Sequence, residues 1–302
     1  MTVVEEIFEC SQKIMKEPLG NAASEEIKKR IIDSIFVAYG ARNSGPVKII
    51  KSAMLPAKGK HNSKIYFSKR EADVGTATFI NGSMTRYLDY NDTYLSKEEL
   101  HPSDNIPPIL ALSYDLGLNG EQAIKASAVA YQVICALSDS VSIRDRGWDH
   151  VTYISISSAA GLASLMGMDS QKFAHTLNLA INNNISLRQT RAGELSMWKG
   201  CTAANASRNS VFAAILANSG LTGPAPIFEG EMGFFQAGVR RLQIGPETGQ
   251  DPQDNDKKLS CRVPCNERGR GCAEPQGKDF RQDSEDRGRD IFCCEQDNNK
   301  GP

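Results

Sequence analysis

Long apolar runs are missing from this 302-residue chain. Nothing in it approaches the roughly 18 consecutive apolar residues of a membrane-spanning helix, so no membrane segment is expected. An excess of one charge is missing too. Its 35 Lys and Arg stand against 36 Asp and Glu, for a net charge of -1, which argues against a nucleic-acid or polybasic membrane surface. The N-terminus MTVVEEIFEC is acidic where a secretory leader would be basic, so a cytoplasmic protein is expected. Strand patterning is almost absent: Ile65-Tyr66-Phe67 is the one convincing strand-like triplet before residue 100, too short to found a sheet. The first 235 residues hold no CxxC pair, no HExxH and no Asp-rich metal loop, so no metal or metal cluster is expected.

Helical periodicity is what remains, and the expected fold class is all-α, a domain of packed helices. Apolar residues fall about a turn apart from Glu5 to Met15. Ser24, with Glu25 and Glu26 after it, is placed as the N-cap of a helix whose one face carries Ile27, Ile31 and Ile35. Short helices are expected over Val47–Leu55 and after Pro107-Pro108, and a nearly buried one over Gln122–Ser138. Asp169-Ser170 caps a helix with Phe173, Leu177 and Ile181 on one face. After Lys199-Gly200, small residues (Cys201, Ala203, Ala204, Ala206) lead into Val211, Phe212, Ile215 and Leu216 at helical spacing, the mark of a close-packed helix.

Several residues could carry chemistry, and each has a plainer reading beside it. A helix over Thr76–Leu88 delivers Asp89, Asn91 and Asp92 at its end, where carboxylates oppose the macrodipole; they either hydrogen-bond within a turn or serve a site. His101 precedes Pro102 and should be extended in a loop, where it can exchange a proton near neutral pH with an Asp nearby to orient it. His150 precedes a small-residue helix and either caps a turn or acts beside it. Lys199 at a helix start is either a surface lysine or part of a corner that suits a carboxylate or phosphate. Arg188 and Arg191 could fork onto substrate carboxylates or form a solvated flank.

Long blocks resolve these choices. ELSMWKGC, RNSVFAAILA and FEGEMGF, with RYLDYNDTYLSKEELHPSDNIPP and RGWDHVTYISISSAAGLASLMG upstream, resemble the MmgE/PrpD family, in its 2-methylcitrate dehydratase branch. The resemblance runs from about Met1 to Phe235. It implies a cofactor-free hydro-lyase of the methylcitrate cycle in propionate catabolism, with a small tricarboxylate substrate and a homodimeric habit. It also implies that Asp89, Thr93, His101 and a second histidine, His150, line the active site. Elimination of water from such an acid needs a base for the proton alpha to a carboxylate, an acid for the departing hydroxyl and cations for the developing charge. His101 and His150 are the candidates for proton transfer, Asp89 for orienting or base, and Lys199 for holding a carboxylate. The family also contains cis-aconitate decarboxylases and epimerases, so the substrate class is better defined than the reaction.

After Phe235 the character changes. Residues 236–302 are rich in Arg, Asp, Gln, Gly, Asn and Cys without aliphatic periodicity, and read as a disordered tail. Cys261, Cys265 and Cys272 lack a zinc spacing. In the family this point begins an α+β lid domain that closes over the site. Reading the codons of Gln250 to Asn266 one base later permits a segment similar to that lid, with its Tyr-His pair. The tail is therefore expected to be the product of a shifted reading frame, with the shift near Phe235 to Gly238. A catalytically inactive helical domain, acting at most in binding or dimerisation, is the competing expectation.

Overall fold

Residues 1–235 are described by the computed structural model; the tail over 236–302 and the expected lid lie outside the described residues. These residues form nine α-helices: α1 Val3–Lys16, α2 Asn21–Ala41, α3 Gly45–Met54, α4 Val74–Tyr87, α5 Ile106–Asp115, α6 Gly120–Ser140, α7 Val151–Leu165, α8 Ser170–Asn182 and α9 Thr202–Asn218. The antiparallel hairpin of β1 Asn62–Lys64 and β2 Glu71–Asp73 is the sole sheet among them. The all-α expectation therefore holds for this part. No described helix is long and apolar enough to cross a membrane.

Local chemistry fixes the helix starts. Thr2 and Glu5 make a reciprocal capping box on α1, Asn119 and Gln122 do the same on α6, and Asp73 and Asp169 cap α4 and α8. Three local expectations fail, the third being the burial of Phe212 on α9. Helix α2 begins at Asn21, with Gly20 rather than Ser24 at the N-cap, because the core-facing stripe already starts at Ala23, buried a turn ahead of Ile27. That stripe continues through Ser34, Ala38 and Ala41, leaving Ile31 and Ile35 only half-buried. The triplet Ile65–Phe67 forms the hairpin's turn instead of a strand. Phe67 takes a left-handed conformation (φ 57), and the Asn81 side chain on α4 accepts from Tyr66 N and donates to the Lys64 carbonyl, satisfying the backbone without a strand partner.

Helix α7 sits at the centre, with every residue from Val151 to Leu165 buried. A helix buried all round must satisfy its polar side chains internally. Ser157 and Ser158 both donate to Asn105 Oδ1, and Ser155 and Ser164 donate to carbonyls of their own helix. Helix α4 is nearly as enclosed, with Thr76 to Arg86 buried, and it crosses α9 closely. A Cβ on Gly82 would stand 2.8 Å from Ala204 Cβ and 3.1 Å from Ala204 Cα. Ala203, Ala204 and Ala206 are buried as expected for α9, but Phe212 is 64% exposed because the small residues, not the aromatic, face the neighbouring helices.

Gly82→Val is expected to lower the unfolding free energy by about 1–3 kcal/mol, because the side chain has no space at this crossing. Urea unfolding of the variant beside the wild type checks this; an unchanged midpoint would show that α4 and α9 can separate at little cost.

Candidate active site

The end of α4 brings the first group. Asp89 adopts a left-handed conformation (φ 58) just past the helix C-terminus, one that aspartate tolerates better than most residues. Its carboxylate faces the negative end of the helix dipole, and the cations Arg86 and Lys199 compensate. Asp89 Oδ1 accepts from Arg86 Nη1 and lies 3.6 Å from His101 Nε2, while Oδ2 stands 3.3 Å from Lys199 Nζ. Lys199 belongs to the 3-10 turn Met197–Gly200 ahead of α9. That turn seats against the end of α4 at Gly200, where a Cβ would meet the Tyr87 ring at 3.1 Å and its Cα at 3.2 Å.

His101 is extended ahead of Pro102 (φ -121, ψ 94), as the sequence predicts. Its Nδ1 lies 2.8 Å from the Asp92 carbonyl, with Thr93 Oγ1 at 3.4 Å. A carbonyl can only accept, so Nδ1 carries the proton and Nε2 the lone pair. Asp92 holds the loop: its Oδ1 accepts from Ser103 N at 2.9 Å and its Oδ2 from the Tyr131 hydroxyl at 2.8 Å. Asn91 likewise donates to Ser103 Oγ and Asp104 Oδ1. The two readings of the acidic cluster therefore divide, with Asp89 facing the other ionisable groups and Asn91 and Asp92 serving the loop.

His150 is the N-cap residue of α7. Its ring centroid lies 5.8 Å from that of His101. Its Nδ1 stands 3.2 Å from Asp149 Oδ1, and its Nε2 is 3.5 Å from Arg191 Nη2. Arg191 in turn donates from Nε to Asp149 Oδ2 at 2.7 Å. The fully buried Asp149 thus fixes a histidine and an arginine at once. Arg188 begins the 3-10 turn Arg188–Arg191, is half-buried and ties its backbone N to the Gly147 carbonyl at 2.8 Å. Its charge bears on His150, but Arg191 is the one of the pair that reaches the imidazole.

The structure therefore brings Asp89, Thr93, His101, His150, Arg191 and Lys199 together, with Arg188 at the margin. Sequence reasoning missed Arg86, Asp104 and Asp149. Arg86 had a usable signal, since it lies three residues before Asp89 on a helix face. Asp149 had only its place beside His150. Two cavities among the described residues, of about 510 Å³ beside α8 and α9 and about 260 Å³ beside α1 and α8, lie away from this cluster. It is the convergence of ionisable groups, with Asp89 still 43% exposed, that marks the candidate site.

Electrostatics sharpen its character. Burial disfavours the Asp89 carboxylate, but Arg86, His101 and Lys199 outweigh it and hold the group well below the usual carboxylate range. Burial, followed by the Arg86 charge, pushes His101 down to about 3. Burial and then Arg191 also push His150 well below the ordinary imidazole range. Both rings are neutral near pH 7. Among the described residues no group of three or more His, Cys, Asp or Glu is arranged to hold a metal ion. The set suits anion binding by Lys199 and Arg191, with proton transfer at a neutral Nε2.

A histidine whose folded pKa is depressed keeps its ring neutral, while the unfolded chain takes up a proton below about pH 6.5. His101 therefore contributes nothing to the pH dependence above that value and destabilises the fold progressively below it. The stability of His101→Asn relative to the wild type is expected to rise by about 1 kcal/mol between about pH 7.5 and about pH 5.5. Urea unfolding at the two pH values measures this; a constant difference would mean that His101 takes up its proton in the folded chain as it does in the unfolded one.

Comparison with known proteins supplies the wider frame. Residues 6–245 match the MmgE/PrpD N-terminal domain, ten residues beyond the Phe235 limit of the sequence blocks. The 2-methylcitrate dehydratase of Escherichia coli is 30% identical over 182 residues, covering 56% of this chain and 38% of that protein. The enzyme of the same name from Cupriavidus necator is 29% identical over 180 residues, covering 55% and 37%. A probable 2-methylcitrate dehydratase of Saccharomyces cerevisiae is 26% identical over 204 residues, covering 62% and 39%. The chain thus matches well under half the length of these curated relatives. With most of its length matched by the family's domain, and with the helical fold expected of it, this chain belongs to the MmgE/PrpD family.

Proposed function

We propose that the described residues form the helical part of a hydro-lyase site that eliminates water from a small tricarboxylate of the 2-methylcitrate class, giving 2-methyl-cis-aconitate. The observation that carries this reading is the meeting of His101, His150, Asp89 and Lys199, from four separate segments, around one open cluster. Lys199 and Arg191 bind substrate carboxylates, and Arg188 adds positive charge at the margin. One imidazole Nε2 takes the proton alpha to a carboxylate. The carbon–oxygen bond to the hydroxyl breaks, and a second protonated group returns a proton so that water leaves. Asp89, held ionised by its cations, is a poor base, so its role is to gather Arg86 and Lys199 while the imidazoles move protons. A bound polyanion brings negative charge beside the rings and raises their proton affinity. Thr93, within reach of His101 Nδ1, steadies that ring.

The family reading extends to a helical domain over 1–235 followed by a tail that stands where the family has its lid, to a cytoplasmic setting and to self-association as a homodimer. A second reading is favoured by the 38% of the Escherichia coli protein that the match covers: a domain that binds tricarboxylate without turning it over. A decarboxylase acting on cis-aconitate would use the same cations.

Binding of 2-methylcitrate to the full chain, measured by calorimetry, is expected to weaken about tenfold or more in Lys199→Ala, the loss anticipated when a charge-assisted contact is removed. Unchanged affinity would remove Lys199 from the site. A turnover assay on the same chain separates the readings: ready dehydration supports the hydro-lyase and shows the family's lid dispensable, whereas binding without turnover supports the second reading. Sequencing the gene across the codons for Phe235 to Gly238 is expected to reveal a missing or extra base; an intact frame would reject the frameshift.

A further inference from the structure

Beneath Asp89 lies a second carboxyl that the dehydration chemistry does not use. Asp104 sits in the 3-10 turn Pro102–Asn105 and is 3% exposed, as is Arg86. Asp104 Oδ1 accepts from Asn91 Nδ2 at 3.1 Å. Its Oδ2 faces Arg86 Nε at 3.7 Å, beyond hydrogen-bond reach. Neither atom has a hydrogen-bond partner among the described residues. Unpaired buried groups are costly, and two of opposite sense facing one another form a joint that closes when the carboxyl carries its charge. Arg86 meanwhile donates from Nη1 to Asp89. One guanidinium therefore stands between a buried carboxyl and the exposed carboxylate of the candidate site.

We propose that Asp104 is a positioning residue that controls, through Arg86, how firmly the Asp89 carboxylate is held. When Asp104 is protonated, the Arg86 charge is committed to Asp89. When Asp104 ionises, it draws Arg86 Nε into a hydrogen bond and shares that charge. Asp89 then becomes a better acceptor and holds Lys199 more firmly. The inference deepens the proposed function and rests on Asp89 belonging to that site.

The surroundings set the range over which this happens. Burial raises the Asp104 carboxyl, Arg86 lowers it, Asp92 raises it, Arg191 lowers it and Asp89 raises it, leaving it at about 7. Arg30 on α2 bears on Asp92 from behind, and Tyr131 on α6 donates to Asp92. From α9, Ser207 Oγ donates to the Asp104 carbonyl at 3.0 Å and leaves the carboxyl untouched. From α7, Ser157 and Ser158 bind the adjacent Asn105, and His150 enters through Arg191. His101, whose carbonyl accepts from Asp104 N at 3.1 Å, stays neutral through this range.

The test reads the joint directly in the substrate-free full chain, so it stands apart from any assay of dehydration. The nitrogen-15 and proton resonances of Arg86 Nε–H, assigned with Arg86→Lys, are followed from about pH 5.5 to about pH 8.5. The proton signal is expected to move downfield with a midpoint near 7 in the wild type, and the shift is expected to be lost in Asp104→Asn. A flat wild-type signal overturns the proposal, as does the same inflection in Asp104→Asn. Should that variant not fold, the carboxyl carbon-13 signal of Asp104 in the wild type decides. Titration together with Arg86 supports the joint, and a carboxyl that keeps one state throughout overturns it. Failure to bind or turn over 2-methylcitrate would instead reject the proposed function and leave the Arg86–Asp104 result standing.

Discussion

A carboxylate at the negative end of a helix needs cations, and Asp89 draws them from two parts of the chain. Arg86 comes from the helix itself and Lys199 from the turn before α9, while the neutral His101 ring stands beside them from the loop before α5. The macrodipole alone would repel the Asp89 charge. Removing it would leave the nearly buried Arg86 with the Asp104 carboxyl, 3.7 Å from its Nε, as counter-charge among the described residues, so the interaction fixes the end of α4 and the two segments that meet it. The opposition between carboxylate and dipole becomes a device for gathering positive charge at one exposed point.

That gathering depends on how closely the helices pack. Gly82 lets α4 lie against Ala204, and Gly161 lets α7 approach Ala126 and Ala130 on α6. Small residues at these crossings bury backbone tightly and leave little room for side chains to adjust. Asn105 and the two serines of α7 show a buried polar set paired within such a crossing. The loops at the ends of α4, α6 and α8 are held with the same economy. Glu98, fully buried, accepts from Ser142 Oγ, Ile143 N and the Arg144 side chain. It ties the loop leading to His101 to the loop leading to His150.

Much of the fold was legible because capping and periodicity are local. Asp169 before α8 and the Phe173–Leu177–Ile181 stripe announce themselves by spacing. Ser24 misled because a competent cap residue can equally sit in a first turn when an alanine upstream is needed by the core. Ile65–Phe67 misled because β propensity reflects a pleated, half-buried surface, and here α4 offered the Asn81 side chain instead. Phe212 misled because helical spacing does not tell which face a neighbour covers. In the candidate site, His101, His150, Asp89 and Lys199 were singled out through family blocks. Arg86 and Asp149 were passed over, since an arginine inside a helix and an aspartate in a polar loop look ordinary in a linear chain.

The sequence by itself determined the helical class, most helix starts, the extended backbone at His101 and the family to which the chain belongs. These follow from interactions within a few residues or from long stretches of shared pattern. Only the tertiary structure decided that Asp89 rather than Asp92 faces the ionisable cluster, that Asp149 serves His150 and Arg191 together, and that Asp104 stands behind Arg86. Charges act through space, and the separation that sets their effect is fixed by helix packing, which brings residues a hundred positions apart to within a few ångströms.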